Sequence, residues 1–265
     1  MHIIVCIKSV PDTTAVRFNP ETNTLIREGV ASIINPFDTY AIEEALRLKE
    51  AHGGTVTVLT MGPPHAEKEL RDAVAMGCDA AILLSAPEFA GADTWATAYT
   101  LAGAIKKLGQ VDLILCGRQA IDGDTGQVGP GIANQLGLPQ LTYVSKIRHL
   151  DPSQGTIEVE RLLEEGIEVA RSRLPALLTV VKDINQPRYP TFRGIRMARK
   201  MEIPIWTAAE LPVERRFLGL EGSPTKVVKI FTPPKREGEV IWITGETVEE
   251  IADKLSDKLL AAKVI

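Results

Sequence analysis

Long hydrophobic runs, paired histidines and cysteine motifs are all missing from this sequence. No apolar run approaches the roughly 18 residues of a membrane span, so we expect none. The three cysteines, Cys6, Cys78 and Cys116, include no CxxC motif and lie in or beside apolar runs. This usage is typical of buried thiols in a reducing compartment. The N-terminus enters a predicted strand without the layout of a signal peptide, which favours a cytoplasmic protein.

Excess positive charge and catalytic constellations are missing as well. The net charge of -4 argues against a partner made of nucleic acid. The four histidines show no paired spacing, so we assign no metal site. No Ser–His–Asp or Cys–His set and no close carboxylate pair can be assembled, so we assign no catalytic residue. The chain is therefore interpreted as a platform for a cofactor that brings its own chemistry.

Apolar strands alternate with helices over the first half of the chain. The predicted strands are His2–Ile7, Thr55–Thr60, Ala80–Ser85 and Val111–Cys116. The predicted helices are Phe37–Ala51, His65–Met76 and Asp93–Leu108, each followed by a glycine. Continuous apolar strands that alternate with helices predict an α/β fold with a parallel sheet covered on both faces. In such sheets ligands bind outside the carboxyl ends of the strands.

The second half of the chain has a different pattern. Residues Tyr143–Leu150, Thr156–Leu163 and Ile167–Arg173 predict a small antiparallel meander, and Leu177–Val181 predicts one more buried strand. The proline-rich remainder ends in an amphipathic helix, Glu246–Ala262, which either packs on its own core or covers a partner. We favour the partner. The predicted domains are a nucleotide-binding domain, 1–190, and a recognition loop with a C-terminal arm that wraps a partner, 191–265.

A polar, glycine-rich segment follows the strand that ends at Cys116. We call Gly117–Val128 the glycine loop; beyond Gly129 and Gly131, the apolar pattern Ile132, Ala133, Leu136 predicts a helix that stops at Gly137. Glycine lets backbone N–H groups approach a ligand, and a helix N-terminus favours a phosphate. We expect Gly126 and Gly129 to permit this approach. The loop predicts a bound nucleotide, although neither GxGxxG nor a P-loop occurs.

Other polar residues follow the neighbouring strands and should lie at the same edge of the sheet. Asn35 and Asp38 open the first helix, so they are either ligand-binding residues or simple helix caps. Met61 and Gly62 follow the second strand, where a plain turn is the alternative.

Three segments, in order along the chain, resemble the small (beta) subunit of electron-transfer flavoprotein. They are Ile7–Asp12 followed by Asn35–Asp38; Gly117–Asp122; and the block Val159–Arg161, Glu164–Gly166, Leu174–Val180 and Asn185–Pro190. The similarity covers nearly the whole chain, and the third block is highly specific. Ala170 departs from the pattern, because a larger aliphatic residue is expected there.

The resemblance implies a Rossmann-like fold and a heterodimer with an alpha subunit that carries FAD. It implies electron transfer to flavoproteins of the acyl-CoA dehydrogenase type. It also implies a second nucleotide on the small subunit, which is a structural AMP in one branch of the family. In the electron-bifurcating branch the second nucleotide is an FAD that accepts electrons from NADH. That FAD divides the electrons between a high-potential route and a low-potential acceptor such as ferredoxin.

The glycine loop bears on the choice between FAD and AMP. Its sequence, DGDT-x-QVGP, is similar to the bifurcating type, and Gly123 stands where the AMP type tends to carry a carboxylate. Removing a negative charge and a side chain there favours a second phosphate and the rest of an FAD. The alternatives are a turn glycine with AMP bound, or a nucleotide-binding regulatory or scaffold protein without a redox role.

The resemblance assigns cofactor-binding residues along the sheet edge and the glycine loop. They are Lys8, Ser9, Val10, Asn35, Asp38, Met61, Gly62, Cys116, Gly117, Ala120, Asp122, Gly123, Asp124, Thr125, Gly126, Gln127 and Val128. Aligned on Pro187–Tyr189, it also places a partner-docking side chain at Phe192. The family has an aliphatic residue there. The alternative is that Phe192 begins a helix and packs inward.

Overall fold

The computed structural model describes residues 1–12, 17–18, 25–26, 31–228 and 240–264. Within these ranges the chain forms two compact units, Met1–Val227 and Val228–Ile265, which are described separately.

A mostly parallel sheet forms the centre of the first unit. The strands of the described ranges are β1 His2–Cys6, β2 Ser9–Pro11, β3 Arg17–Phe18, β4 Leu25–Ile26, β5 Ser32–Ile34, β6 Thr55–Met61, β7 Ala80–Leu84, β8 Leu113–Gly117, β9 Gln140–Asp151, β10 Thr156–Leu163, β11 Gly166–Arg173, β12 Ala176–Val180 and β13 Ile205–Trp206. The sheet order is β11-β10-β9-β12-β8-β1-β6-β7-β13. β2 pairs with β5 and β3 with β4 outside this sheet, both antiparallel.

Helices cover both faces of the sheet. They are α1 Pro36–His52, α2 Glu67–Met76, α3 Thr94–Leu108, α4 Val128–Leu136 and α5 Phe192–Lys200. Alternate residues of one strand enter opposite cores: Ile3 packs with α1 and α2, whereas Ile4 packs with α3 and α4. This two-sided burial explains why the strands are continuous apolar runs. The predicted α/β, Rossmann-like fold is confirmed.

The helix ends follow from local sequence. Pro36 occupies the first turn of α1, where its missing N–H costs nothing. Asp93 caps α3 by accepting a hydrogen bond from the Ala96 N–H. The predicted glycine stops adopt positive φ values: Gly53 (72°), Gly77 (134°), Gly109 (88°) and Gly137 (66°).

The predicted antiparallel meander is confirmed as β9, β10 and β11. It continues the central sheet, because β9 pairs in parallel with β12. Residues beyond 190 also join the first unit: β13 pairs with β7 at the sheet edge, and α5 packs against α2. The predicted division at residue 190, between a nucleotide-binding part and a partner-binding part, stays a prediction.

The second unit contains α6, Val248–Ala261, at the position of the predicted C-terminal helix. Thr247 caps it by accepting a hydrogen bond from the Glu250 N–H. No residue of this helix is buried within the described structure, and its apolar side chains Ile251, Leu255 and Leu260 are exposed. A partner for α6 stays a prediction. Of the helices in the described ranges, none combines the length and apolarity that crossing a membrane demands.

Candidate nucleotide site

The carboxylate of Asp38 joins the carboxyl ends of two neighbouring strands. Its Oδ2 accepts the Lys8 N–H at 2.7 Å, just beyond β1, and its Oδ1 accepts the Gly117 N–H at 3.1 Å, at the end of β8. Gly117 permits this approach, because a Cβ there would lie 2.3 Å from Asp38 Oδ1. Asp38 therefore positions the first residue of the glycine loop.

Asn35 holds the next part of the loop. Its Nδ2 donates to the Gln119 carbonyl at 2.9 Å, and its Oδ1 accepts the Ile121 N–H at 3.1 Å. Asn35 occupies the N-cap position of α1, but its side chain makes no capping hydrogen bond. The interpretation of Asn35 and Asp38 as simple helix caps is therefore wrong, because both side chains are used to tether the loop.

Burial changes the protonation of Asp38. Desolvation raises its pKa from 3.8 to about 7, against the opposing effects of hydrogen bonds from Asn35, Lys8 and Gly117 and of the Lys8 charge. The Asp38 residue as a whole is 6% exposed. The tether of the loop therefore titrates near neutral pH.

The middle of the glycine loop is a tight turn. Two residues have left-handed backbones: Asp124, with φ 52°, and Gly126, with φ 61°. The Asp124 N–H donates to the Ala120 carbonyl at 2.8 Å, and the Gln119 side chain binds the Asp124 carboxylate. This turn leads directly into the first residues of α4.

Backbone donors are left free where α4 begins. The N–H groups of Gln127, Val128 and Gly129 donate to no protein group among the residues that the structure describes. Gln127 is the N-cap and provides no capping side chain. The first bond of the helix comes later, from the Gly131 N–H to the Gln127 carbonyl at 2.9 Å. Free N–H groups at a helix N-terminus suit the oxygens of a phosphate.

The charges beside this N-terminus are partly paired. Lys8 Nζ lies 2.6 Å from Asp122 Oδ1 in a half-exposed ion pair. Among the described residues, a Cβ at Gly123 would meet only Lys8 Nζ, at 3.9 Å. Space at position 123 would therefore admit a side chain. What glycine changes there is charge, because it keeps a carboxylate out of the loop. Thr125 and Gln127 are exposed beside the turn.

Gly129 also has a packing role that the sequence analysis did not predict. A Cβ there would lie 2.6 Å from Cγ2 of Thr179, a residue of β12. Protein atoms therefore occupy the space on that side of Gly129, and the glycine allows α4 to pack closely on the sheet. Gly126 has no such neighbour, since its closest atom would be the Arg118 carbonyl oxygen at 3.7 Å.

The remaining predicted residues are less closely connected to the loop. Cys116 is buried next to Cys6 of β1 in the sheet, and the hydrogen bond that its thiol makes to Cys6, together with burial, raises the pKa of Cys116. Ser9 and Val10 lie in β2, where Val10 is buried. Met61 and Gly62 follow β6; Gly62 N–H donates to the carbonyl of Leu84 rather than to the loop.

Two residues that the sequence analysis left unassigned lie at the same edge. Arg118 is placed between the rings of Phe37 and Tyr143. Arg118 belongs to a segment already quoted for the resemblance, so its position in the chain was a usable signal. Tyr143 gave none, because its place depends on an irregularity between β9 and β12.

The predicted docking residue begins α5 and points outward. Phe192 is 95% exposed, and Tyr189 is 92% exposed. The alternative that Phe192 packs inward is therefore wrong, although the docking role itself stays a prediction. Just before it, Arg188 forms ion pairs with Glu43 at 2.8 Å and Glu50 at 2.5 Å, which fasten this segment to α1.

Comparison with known proteins places this geometry in context. Residues 22–211 match the electron transfer flavoprotein domain. The chain is 52% identical over 263 residues to the electron transfer flavoprotein subunit beta of Thermoanaerobacterium thermosaccharolyticum, covering 97% of this chain and 99% of the relative. It is 49% identical over 266 residues to the caffeyl-CoA reductase-Etf complex subunit CarD of Acetobacterium woodii, with 100% of both chains covered. It is 50% identical over 241 residues to protein FixA of Azorhizobium caulinodans, covering 89% of this chain and 86% of the relative.

Proposed function

Because this chain belongs to the electron transfer flavoprotein family, as a beta subunit, we propose that it binds FAD at the glycine loop. The family works in electron transfer, and a beta subunit implies an alpha subunit as partner. In the proposed function, electrons from NADH reach the FAD on this chain. From there one share of the electrons passes through the alpha-subunit FAD to an acyl-CoA dehydrogenase-type flavoprotein. The other share goes to a low-potential acceptor such as ferredoxin. The proposed location is the cytoplasm.

The free backbone donors at the start of α4 carry this proposal. Gln127, Val128 and Gly129 present N–H groups without protein acceptors among the described residues. A helix N-terminus adds a partial positive charge, which favours a phosphate at this place. The turn at Gly126 leaves space on the side where a Cβ would lie, since the nearest described atom there would be the Arg118 carbonyl oxygen at 3.7 Å. These features fit the phosphate of a nucleotide.

The charge of the loop supports FAD over AMP. Asp122 is paired with Lys8, and position 123 adds no further carboxylate. A second phosphate brings more negative charge to the loop, so each additional carboxylate nearby would oppose it. The same free donors also fit AMP, which stays the alternative ligand. A scaffold protein without a redox role is the alternative of another class, and the family assignment argues against it.

A bound FAD would supply the redox chemistry, and the residues of this chain would bind and orient it. Asp38 and Asn35 fix the loop to β1, β8 and α1 through four hydrogen bonds to backbone groups. This tethering aims the free N–H groups of α4 in one direction before a ligand binds. Preorganised donors reduce the entropy that binding would otherwise cost.

The name of one relative supports the proposed class of partner. CarD is named as a subunit of a caffeyl-CoA reductase-Etf complex, which associates that relative with an enzyme for a CoA thioester. On this chain, the exposed ring of Phe192 is held next to the Arg188 ion pairs and could fill an apolar pocket of such a partner.

Substitution of Gly123 tests the choice of nucleotide. We expect Gly123→Asp to lower the affinity for FAD by about tenfold, because the new carboxylate repels the phosphates. Gly123→Asn, which has the same shape without the charge, should retain FAD. The measurement is FAD fluorescence during titration of the nucleotide-depleted complex with the alpha subunit. If both variants lost the same affinity for FAD, the cause would be the added side chain and not its charge, which would contradict the proposal.

A further inference from the structure

Arg118 is a cation without an anionic partner in the described structure. Its guanidinium carbon lies 5.8 Å from the centroid of the Phe37 ring and 5.1 Å from that of Tyr143. Its Nε donates to Gln119 Oε1 at 2.6 Å. The two terminal nitrogens of the guanidinium, by contrast, donate to no residue within the described ranges. The guanidinium thus lies over two aromatic rings, and its terminal N–H donors stay free among the described residues.

The backbone of Tyr143 is strained to hold its ring there. Tyr143 has φ 58°, a left-handed value that costs a non-glycine residue roughly 1–2 kcal/mol. A register irregularity between β9 and β12 surrounds it, and its N–H donates to Thr179 Oγ1 at 3.2 Å. Strain of this kind persists where the surrounding structure enforces it, and it concentrates at ligand sites.

The same residues lie beside the N-terminus of α4, the proposed phosphate site. Gly126 lies against the carbonyl oxygen of Arg118, and Thr179, which binds the Tyr143 N–H, packs against Gly129 at the start of α4. The free guanidinium edge and the free N–H groups of α4 therefore belong to one edge of the sheet. Arg118 and the N-terminus of α4 thus each bring anion-binding donors to that edge.

We propose that Arg118 binds the second phosphate of a diphosphate-containing nucleotide and so selects it over a monophosphate. The inference rests on the proposed function, in which the N-terminus of α4 takes one phosphate. A planar guanidinium offers paired donors that match two phosphate oxygens. Arg118 would thus be a specificity residue, whose contribution is absent when the ligand is AMP.

Comparison of AMP, ADP and FAD isolates this contribution. The three ligands are titrated by calorimetry into the nucleotide-depleted complex of the full chain with the alpha subunit, for the wild type and for Arg118→Gln. We expect Arg118→Gln to weaken ADP and FAD by about tenfold or more, as for loss of a charge-assisted hydrogen bond, and to leave AMP unchanged. Equal weakening of AMP and ADP, or no weakening of ADP, would overturn the inference. Weakening of FAD alone would overturn it too, because the contact would then be with the flavin ring.

Two further variants protect the test against trivial explanations. Arg118→Lys keeps the charge without the planar fork and should recover only part of the ADP affinity. Arg216→Gln removes another arginine that lies over an aromatic ring, 4.5 Å from the Phe217 centroid, and should change neither ligand. If the complex prefers ADP to AMP through Arg118 but binds no FAD, this inference stands and the proposed function fails. If FAD binds independently of Arg118, the proposed function stands and this inference fails.

Discussion

Replacement of Gly129 by alanine tests how the N-terminus of α4, the proposed phosphate site, is positioned. The new Cβ would lie 2.6 Å from Thr179 Cγ2, whereas carbon atoms in ordinary contact are about 3.5–4.0 Å apart. Either α4 or β12 must therefore move by about 1 Å. Overpacking of this kind costs about 1–3 kcal/mol. Helix propensity acts in the opposite direction, since it favours alanine by up to about 1 kcal/mol. A net loss of stability would therefore identify the clash.

Thr179→Ser should rescue this variant specifically. Serine lacks Cγ2 but keeps the hydroxyl that accepts the Tyr143 N–H. Alone it should cost about 1 kcal/mol for one buried methyl group. The double variant should be more stable than Gly129→Ala alone, so the two changes should be coupled by about 1–3 kcal/mol.

The assay is thermal unfolding of the complex with the alpha subunit at one fixed protein concentration, together with the nucleotide content of each variant. Gly129→Ala should lower the midpoint by roughly 2–12 °C and reduce the nucleotide retained. Gly126→Ala is the control: its left-handed φ of 61° makes alanine unfavourable, but Thr179→Ser should not rescue it. Strictly additive losses in the Gly129 and Thr179 double variant would refute the packing argument.

Two more predictions follow from the site and from α5. Folding raises the Asp38 pKa from 3.8 to about 7, so the folded state binds the carboxyl proton more tightly than the unfolded state. This proton therefore contributes stability that is complete below pH ~4 and is lost as the pH rises through ~7. In urea unfolding, Asp38→Asn should reduce the change in the free energy of unfolding between pH ~4 and ~7 by on the order of 4 kcal/mol. An unchanged dependence of this free energy on pH would contradict the raised pKa. Phe192→Ala should slow electron transfer to the partner dehydrogenase by about tenfold or more without changing the thermal midpoint or the reduction by NADH, and unaltered transfer would refute the docking role.

The order of strands and helices could be predicted from the sequence because each element carries its own local signal. Apolar runs marked β1, β6, β7 and β8, and glycines marked the helix ends. The attachment of the meander to the central sheet could not be predicted, because the pairing of β9 with β12 joins distant parts of the chain. Local sequence contains no information about such a pairing.

The candidate site was predicted in part for the same reason. The glycine loop is a continuous segment, so its composition alone predicted a nucleotide site there. The tethers made by Asn35 and Asp38 cross 79 or more residues of sequence, and helix capping was an equally good local explanation for both. Gly129 looked like a loop glycine, because its neighbour Thr179 is distant in the chain. Tyr143 has a left-handed backbone that only the assembled sheet enforces, so no local signal marked it.

The nucleotide content of the purified complex tests the central claim most directly. The complex of this chain with its alpha subunit would be denatured, and the released nucleotides would be separated and quantified by chromatography. The proposed function predicts two FAD per heterodimer, one of them from this chain. One FAD together with one AMP would contradict it.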